Sequence, residues 1–107
     1  MSLSRQACRG VWVPLVTPFR AGELDLEALA SLVEHLLPTG IAGFLALGTT
    51  GEAAHCDEAE SEAVVRTIVR AAGDRVPVLA GSGRASTHQT IAVSRRLASA
   101  GARTLCA

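Results

Sequence analysis

The sequence contains no lysine and no tyrosine. All ten of its basic residues are arginines, and ten acidic residues bring the formal net charge to zero. A lysine amine can form a Schiff base with a carbonyl substrate, and a tyrosine hydroxyl can relay a proton in an active site. These 107 residues can therefore supply neither group.

The sequence also lacks a basic excess and any long apolar run, and these two absences disfavour several classes of partner. Without a basic excess, the chain has little to neutralise phosphates or anionic lipid, so neither nucleic acid nor a membrane surface is an expected partner. No apolar run approaches the roughly 20 residues of a membrane span, and residues 1–10 lack the apolar core of a signal peptide.

The three cysteines, Cys8, Cys56 and Cys106, form no C-x-x-C pair and no even-numbered disulfide framework. Such spacing fits reduced thiols, and it predicts a cytoplasmic protein. His55 and Cys56 are adjacent and have no further ligand cluster nearby, so no metal site is predicted. No cofactor is expected either.

Four continuous apolar runs cover residues 11–16, 43–47, 76–80 and 103–107. They do not alternate polar with apolar residues, which is the pattern of strands buried on both faces of a parallel sheet. Amphipathic helices are predicted between them over residues 26–38, 58–72 and 87–100. In the third helix we expect Ile91, Leu97 and Ala98 to be buried.

Capping residues mark the ends of these helices. Asp25, Asp57 and Ser86 are predicted N-caps, and Glu60 stands three residues after Asp57, as in a capping box. A glycine follows each helix and suits a left-handed C-cap, namely Gly40, Gly73 and Gly101.

The order of elements is thus β-α-β-α-β-α-β, with parallel strands and right-handed crossovers. This order is compatible with an open doubly wound sheet or with part of a barrel. A complete (β/α)₈ barrel needs about 250 residues. We predict a tail over residues 1–9 and one α/β unit over residues 10–107.

Ligands of parallel α/β folds bind where strands end and loops begin. The loop Gly48-Thr49-Thr50-Gly51-Glu52 is the most informative, because two glycines bracket two hydroxyls directly after a buried run. Its hydroxyls and the Thr50 N–H are suited to a small carboxylate or phosphate. We expect the Glu52 carboxylate to brace the loop by accepting backbone N–H bonds. A tight turn without a ligand remains the alternative reading.

Three stretches, in this order and spacing, resemble the dihydrodipicolinate synthase / N-acetylneuraminate lyase family. They are VPLVTPF at residues 13–19, GTTGE at residues 48–52 and VPVLAGSG at residues 76–83. The resemblance implies a parallel (β/α)₈ TIM barrel, of which this chain supplies about three βα units and a fourth strand. It also implies Schiff-base aldol chemistry on pyruvate or another 2-oxo acid.

By this resemblance, Thr50 binds the pyruvate carboxylate, with Gly48 and Gly51 shaping the site, and Thr49 belongs to a proton relay with two tyrosines. The supporting positions are Thr17, Pro18, Glu52 and Gly81. The resemblance places the Schiff-base lysine and the relay tyrosines beyond Ala107, so these 107 residues alone are predicted to be inactive. The full-length parent is expected to be a homo-oligomer.

Two other functions remain open from the residues alone. A half barrel with unpaired edge strands can act as a non-catalytic assembly module. A small flavodoxin-like domain that binds an anion at residues 48–52 is the other alternative.

Overall fold

The computed structural model describes residues 4–107, in which parallel strands alternate with helices. Residues 1–3 of the predicted tail lie outside the described part. In chain order the elements are β1 (Trp12–Pro14), β2 (Phe19–Arg20), β3 (Glu23–Leu24), α1 (Leu26–Leu36), β4 (Gly43–Ala46), α2 (Glu58–Ala72), β5 (Val78–Gly81), α3 (Thr87–Ser99) and β6 (Thr104–Cys106). Short 3₁₀ turns cover Leu37–Thr39 and Ala53–His55.

One parallel sheet has the strand order β1-β4-β5-β6, and β2 with β3 forms a small antiparallel hairpin. The register aligns Pro14 with Leu45, Leu45 with Leu79, and Leu79 with Thr104. A doubly wound sheet reverses its strand order beside the first strand. The order here follows the chain without reversal, and α1 packs on α2 and α2 on α3, as in the wall of a barrel.

The core lies between the sheet and its helices. Because alternate strand residues point to opposite faces, Phe44, Ala46 and Ala80 turn together toward the helices, and all three are fully buried. Leu29 of α1 and Ile68 of α2 pack into the same cluster. The strand residues that alternate with Phe44, Ala46 and Ala80 point to the opposite face of the sheet. Most of them remain partly accessible to solvent.

Helix boundaries agree closely with the predicted ones. Helix α2 has the predicted limits, and α3 ends one residue earlier than predicted. Helix α1 ends at Leu36, and a 3₁₀ turn containing Pro38 follows, because proline has no N–H to continue the helical ladder. Gly40 takes the predicted left-handed conformation, whereas Gly73 has a positive φ with ψ of −134° and lies outside that region.

The burial predicted for α3 was wrong at two of three positions. Leu97 is buried, but Ile91 is 47% exposed and Ala98 is exposed as well. At about 100° per residue, Ile91 and Ala98 lie on one stripe of the helix, roughly 120° and 100° around from Leu97. Helix α3 contacts α2 and β6 through the Leu97 side, so no described element covers that stripe.

The N-terminus of α2 offers a test of local stability. The Asp57 carboxylate accepts a hydrogen bond from Glu60 N at 2.7 Å, and Glu60 Oε1 accepts one from Asp57 N at 3.0 Å. We expect Asp57→Ala to lower the free energy of unfolding by about 1 kcal/mol. Asp57→Asn keeps the acceptor and should lose only a fraction of that in urea titrations, so equal losses in both variants would contradict the assignment.

Candidate functional site

The predicted site residues come together at one edge of the sheet. Thr17 and Pro18 follow β1, the loop of residues 48–52 follows β4, and Gly81 ends β5. Because β1, β4 and β5 are adjacent and parallel, their carboxyl ends lie side by side. This is the edge at which (β/α)₈ barrels place their active sites.

A buried hydrogen bond joins the first loop to the second. Thr17 Oγ1 donates to the carbonyl oxygen of Gly51 at 2.6 Å, across 34 positions of the chain. The Thr17 side chain is buried. Because the bond is shielded from water, it restrains the loop after β4 relative to the end of β1.

Two of the predicted glycines are required by close packing. A Cβ at Gly51 would lie 2.9 Å from the carbonyl oxygen of Leu15, and a Cβ at Gly81 only 2.2 Å from that of Leu47. Gly48 is less constrained, since its nearest neighbour is the flexible Leu45 side chain at 3.1 Å. The backbones of β1, β4 and β5 thus approach each other too closely at this edge for side chains.

The loop is bracketed by two residues in the left-handed region, which the sequence did not indicate. Leu47 has φ of 57° and Glu52 has φ of 55°. For non-glycine residues such a conformation costs about 1–3 kcal/mol and tends to occur at functional sites. Internal bonds close the turn between them, from Glu52 N to Thr49 O at 3.0 Å and from Ala53 N to Gly48 O at 3.3 Å.

The role expected for the Glu52 carboxylate is not what the structure shows. Among residues 4–107 this carboxylate accepts no hydrogen bond, and the side chain is exposed. With the backbone of Glu52 left-handed, its N–H faces back into the turn and bonds to Thr49 O, so the residue braces the loop through its main chain.

The two threonines at the tip of the loop are both exposed, and their hydroxyls bond to no other described residue. Thr49, together with Gly48 and Gly81, borders a cavity of about 400 Å³. Thr50 lies outside the lining of that cavity. The hydroxyls are therefore free to bind a ligand, and the cavity beside Thr49 has room for a small one.

Pro18 ties the first loop to the helix that follows it. Its carbonyl oxygen accepts a hydrogen bond from Asp25 N at 2.9 Å. Asp25 caps α1 by accepting a bond from Ala28 N, and this bond, together with Arg20, lowers the pKa of the Asp25 carboxyl. The loop after β1 is thus held at two adjacent residues, at Thr17 by the loop after β4 and at Pro18 by Asp25.

Cys56 is partly buried beside the loop. Burial raises the pKa of its thiol, and the carboxylates of Glu60, Glu52 and Asp57 raise it further, so the thiolate is disfavoured. Within residues 4–107, no three His, Cys, Asp or Glu side chains are grouped as a metal site would require.

No helix in the described part of the chain combines the length and apolarity needed to cross a bilayer. The predicted cytoplasmic location is untested by this observation and stays a prediction.

Fold and site together define a class. A parallel sheet in chain order, with helices on one face and a glycine-bracketed hydroxyl loop at the carboxyl edge, is the wall of a (β/α)₈ barrel. The sequence model of the Dihydrodipicolinate synthetase family matches residues 7–107. The chain belongs to this family.

Relatives and solved structures agree with that assignment. The 4-hydroxy-tetrahydrodipicolinate synthase of Sorangium cellulosum is 46% identical over 102 residues, which are 94% of this chain and 34% of that protein. The synthase structure from Thermotoga maritima superposes with a TM-score of 0.87 and 37% identity, covering 91% of this chain and 33% of the other. The Aquifex aeolicus synthase gives a TM-score of 0.84 and 36% identity, with coverages of 90% and 33%.

These matches confirm the predicted family and the predicted barrel fold. The chain spans about a third of the length of the relatives it matches. Its three βα units and β6 correspond to one portion of a (β/α)₈ barrel.

Proposed function

We propose that this chain is the 2-oxo-acid-binding part of a pyruvate-dependent carbon–carbon lyase of the 4-hydroxy-tetrahydrodipicolinate synthase type, or of a sister aldolase. The observation that carries the proposal is the loop of residues 48–52. It presents two unbonded hydroxyls at the carboxyl edge of the sheet while its own backbone is held rigid by Thr17, Gly51 and Gly81.

In this proposal Thr50 binds the substrate carboxylate through its hydroxyl and its backbone N–H. Hydrogen bonds to a charged acceptor are stronger than neutral ones, so two short donors suffice to orient a small anion. Thr49, which borders the cavity, belongs to the proton relay. Gly48 and Gly51 allow the ligand to approach the backbone.

The covalent step requires a group that these residues lack. A lysine amine attacks the keto carbon of the 2-oxo acid, and loss of water gives an imine whose adjacent carbon is easily deprotonated. With no lysine in the sequence, the chain by itself binds the carboxylate but does not form this imine. The proposal therefore assigns it binding without turnover.

Carboxylate binding can be tested by titrating pyruvate into the ¹⁵N-labelled chain. We expect shifts centred on the Thr50 amide and a dissociation constant in the millimolar range, about 1 mM. Thr50→Val should weaken binding about tenfold or more, because one hydrogen bond to a charged group is lost. Thr39→Val, at an exposed position after α1, serves as the matched control. Shifts spread evenly over the surface, or equal effects of both variants, would refute the site.

The missing covalent step is tested by borohydride reduction in the presence of pyruvate, followed by intact-mass and peptide analysis. We expect no adduct on any side chain, and the terminal α-amine is the only primary amine available. An adduct mapped to any internal peptide would contradict the assignment.

The cellular setting of the parent enzyme is part of the same proposal. A cytoplasmic homo-oligomer that takes pyruvate as its small-molecule substrate fits the neutral charge and the reduced cysteines of this chain.

A further inference from the structure

The loop of residues 48–52 leaves β4 through a residue whose backbone conformation is unusual for its type. Leu47 directly follows the last residue of β4 and has φ of 57°. Residues other than glycine seldom adopt this region, because their Cβ comes too close to the following carbonyl oxygen. The left-handed turn at Leu47 sets the direction in which the loop departs from the sheet.

The Leu47 side chain is anchored in the core. The residue is buried, and it belongs to the same apolar cluster as Leu15, Phe44 and Ala46. A glycine at this position would adopt the same backbone without strain, but it would give up the burial of the side chain. Burial of the leucine thus opposes the cost of its left-handed backbone.

The main chain of Leu47 is restrained from two sides as well. A Cβ at Gly51 would lie 3.1 Å from Leu47 N and 3.3 Å from Leu47 Cα, so the returning end of the loop packs directly on this residue. On the other side, the backbone of Gly81 in β5 lies against the Leu47 carbonyl group. A strained conformation persists where its surroundings over-determine it, and these contacts do so at Leu47.

The other left-handed residue of the loop is held differently. Glu52 has φ of 55°, but its side chain is exposed and lies outside the core. Its conformation rests on main-chain bonds inside the turn, from Glu52 N to Thr49 O and from Ala53 N to Gly48 O. Of the two left-handed residues, only Leu47 ties the loop to the core through its side chain.

We propose that Leu47 is a positioning residue for the loop of residues 48–52. Its buried side chain and its left-handed backbone together fix the angle at which Thr49 and Thr50 are presented at the carboxyl edge of the sheet. A loop that is ordered in advance loses little conformational freedom on binding, so the site need not be assembled by its ligand. The consequence for pyruvate rests on the proposed function, whereas the orientation of the loop can be measured without a ligand.

Two apolar replacements separate the backbone requirement from burial. Leu47→Met keeps an unbranched Cβ, whereas Leu47→Ile adds a branch there, and a β-branched residue tolerates positive φ least. Both preserve most of the buried apolar volume. In amide titrations we expect Leu47→Met to bind pyruvate within about twofold of the unmodified chain, and Leu47→Ile to bind it about tenfold more weakly.

The loop itself gives a readout that needs no ligand. In the ¹⁵N-labelled chain without pyruvate, Leu47→Ile should shift the amide signals of Thr49, Thr50 and Gly51. The coupling between the amide and α protons of residue 47 should report a changed φ in the same variant. Leu47→Met should leave the loop signals near their original positions. A residue that only filled the core would give equal loop shifts for both replacements.

Leu29 of α1 provides the matched control. It is fully buried in the same apolar cluster, but it lies within a helix. Leu29→Ile makes the same exchange in right-handed backbone, so any loss of stability in urea should leave pyruvate binding and the loop signals unchanged. If Leu47→Ile fails to fold, Leu47→Ala and Leu47→Gly decide. Both lose the side chain, but only glycine accepts positive φ freely, so the glycine variant should be the more stable one.

Equal loop signals and equal pyruvate affinities for Leu47→Ile and Leu47→Met would overturn the proposal. Weakened pyruvate binding in Leu29→Ile, or an alanine variant at residue 47 that is more stable than the glycine variant, would also reject it. If the unmodified chain binds no pyruvate, the proposed function fails, and the ligand-free signals still decide the role of Leu47. If Thr50→Val weakens binding while Leu47→Ile leaves the loop in place, the proposed function stands and this inference falls.

Discussion

Replacing Gly81 with alanine is expected to lower the free energy of unfolding by about 3 kcal/mol, near the upper end of overpacking effects. The new Cβ would stand 2.2 Å from the carbonyl oxygen of Leu47, which belongs to the backbone and cannot rotate away. Either β5 or the end of β4 must shift. Because Leu47 leads directly into the loop of residues 48–52, pyruvate binding should be lost together with stability.

Gly40→Ala is the matched control for this experiment. Gly40 has φ of 82°, and a Cβ there would meet no atom within 4 Å. Its substitution should cost only the left-handed backbone penalty of about 1–2 kcal/mol, with pyruvate binding unchanged. Urea unfolding and amide titration of both variants give the comparison. If the two alanines cost the same and both still bind pyruvate, close packing at Gly81 does not position the loop.

Thr17→Val is expected to destabilise the chain by about 1–3 kcal/mol, the cost of leaving a buried acceptor unsatisfied. Valine preserves the shape of the side chain but has no hydroxyl to donate to the Gly51 carbonyl, whose bond is now 2.6 Å long. The loop of residues 48–52 should become more mobile. Weaker pyruvate binding should therefore accompany the loss of stability.

A second threonine serves as a control, because it separates the cost of losing a buried hydrogen bond from the cost of losing an exposed one. Thr39 Oγ1 donates to Leu36 O at the same distance of 2.6 Å, but at an exposed position where water can replace it. Thr39→Val should change the free energy of unfolding by a few tenths of a kcal/mol, about the usual range of surface substitutions. Thr17→Ser should recover most of the loss. Similar losses for Thr17→Val and Thr39→Val would show that burial does not strengthen the contact.

The helices were predictable because their determinants are local. Asp57 and Glu60 lie three positions apart, and the capping box they form is set by that spacing alone. The end of α1 is local as well, although we predicted it two residues too late: Pro38 has no N–H to continue the helix, and α1 stops at Leu36. Neither feature depends on what the helix packs against, so both can be recognised in the chain before it folds.

Features that depend on contacts distant in sequence were predicted less well. Leucine and glutamate seldom adopt positive φ, and nothing around Leu47 or Glu52 indicated that they would. The Glu52 carboxylate was expected to brace the loop, yet the main chain does so instead. Ile91 resembled a core residue, but burial depends on which neighbours a helix face meets.

The sequence by itself determined that these residues form a run of βα units, that the loop of residues 48–52 carries the candidate anion-binding hydroxyls, and that none of the 107 residues is a lysine. These follow from residue types and short-range spacing. Only the tertiary structure decided that Thr17 holds the Gly51 carbonyl, that Gly81 lies against Leu47, and that one face of the sheet stays open. Such contacts join strands some 30 residues apart, and their geometry is set when parallel strands align in register, which no local pattern encodes.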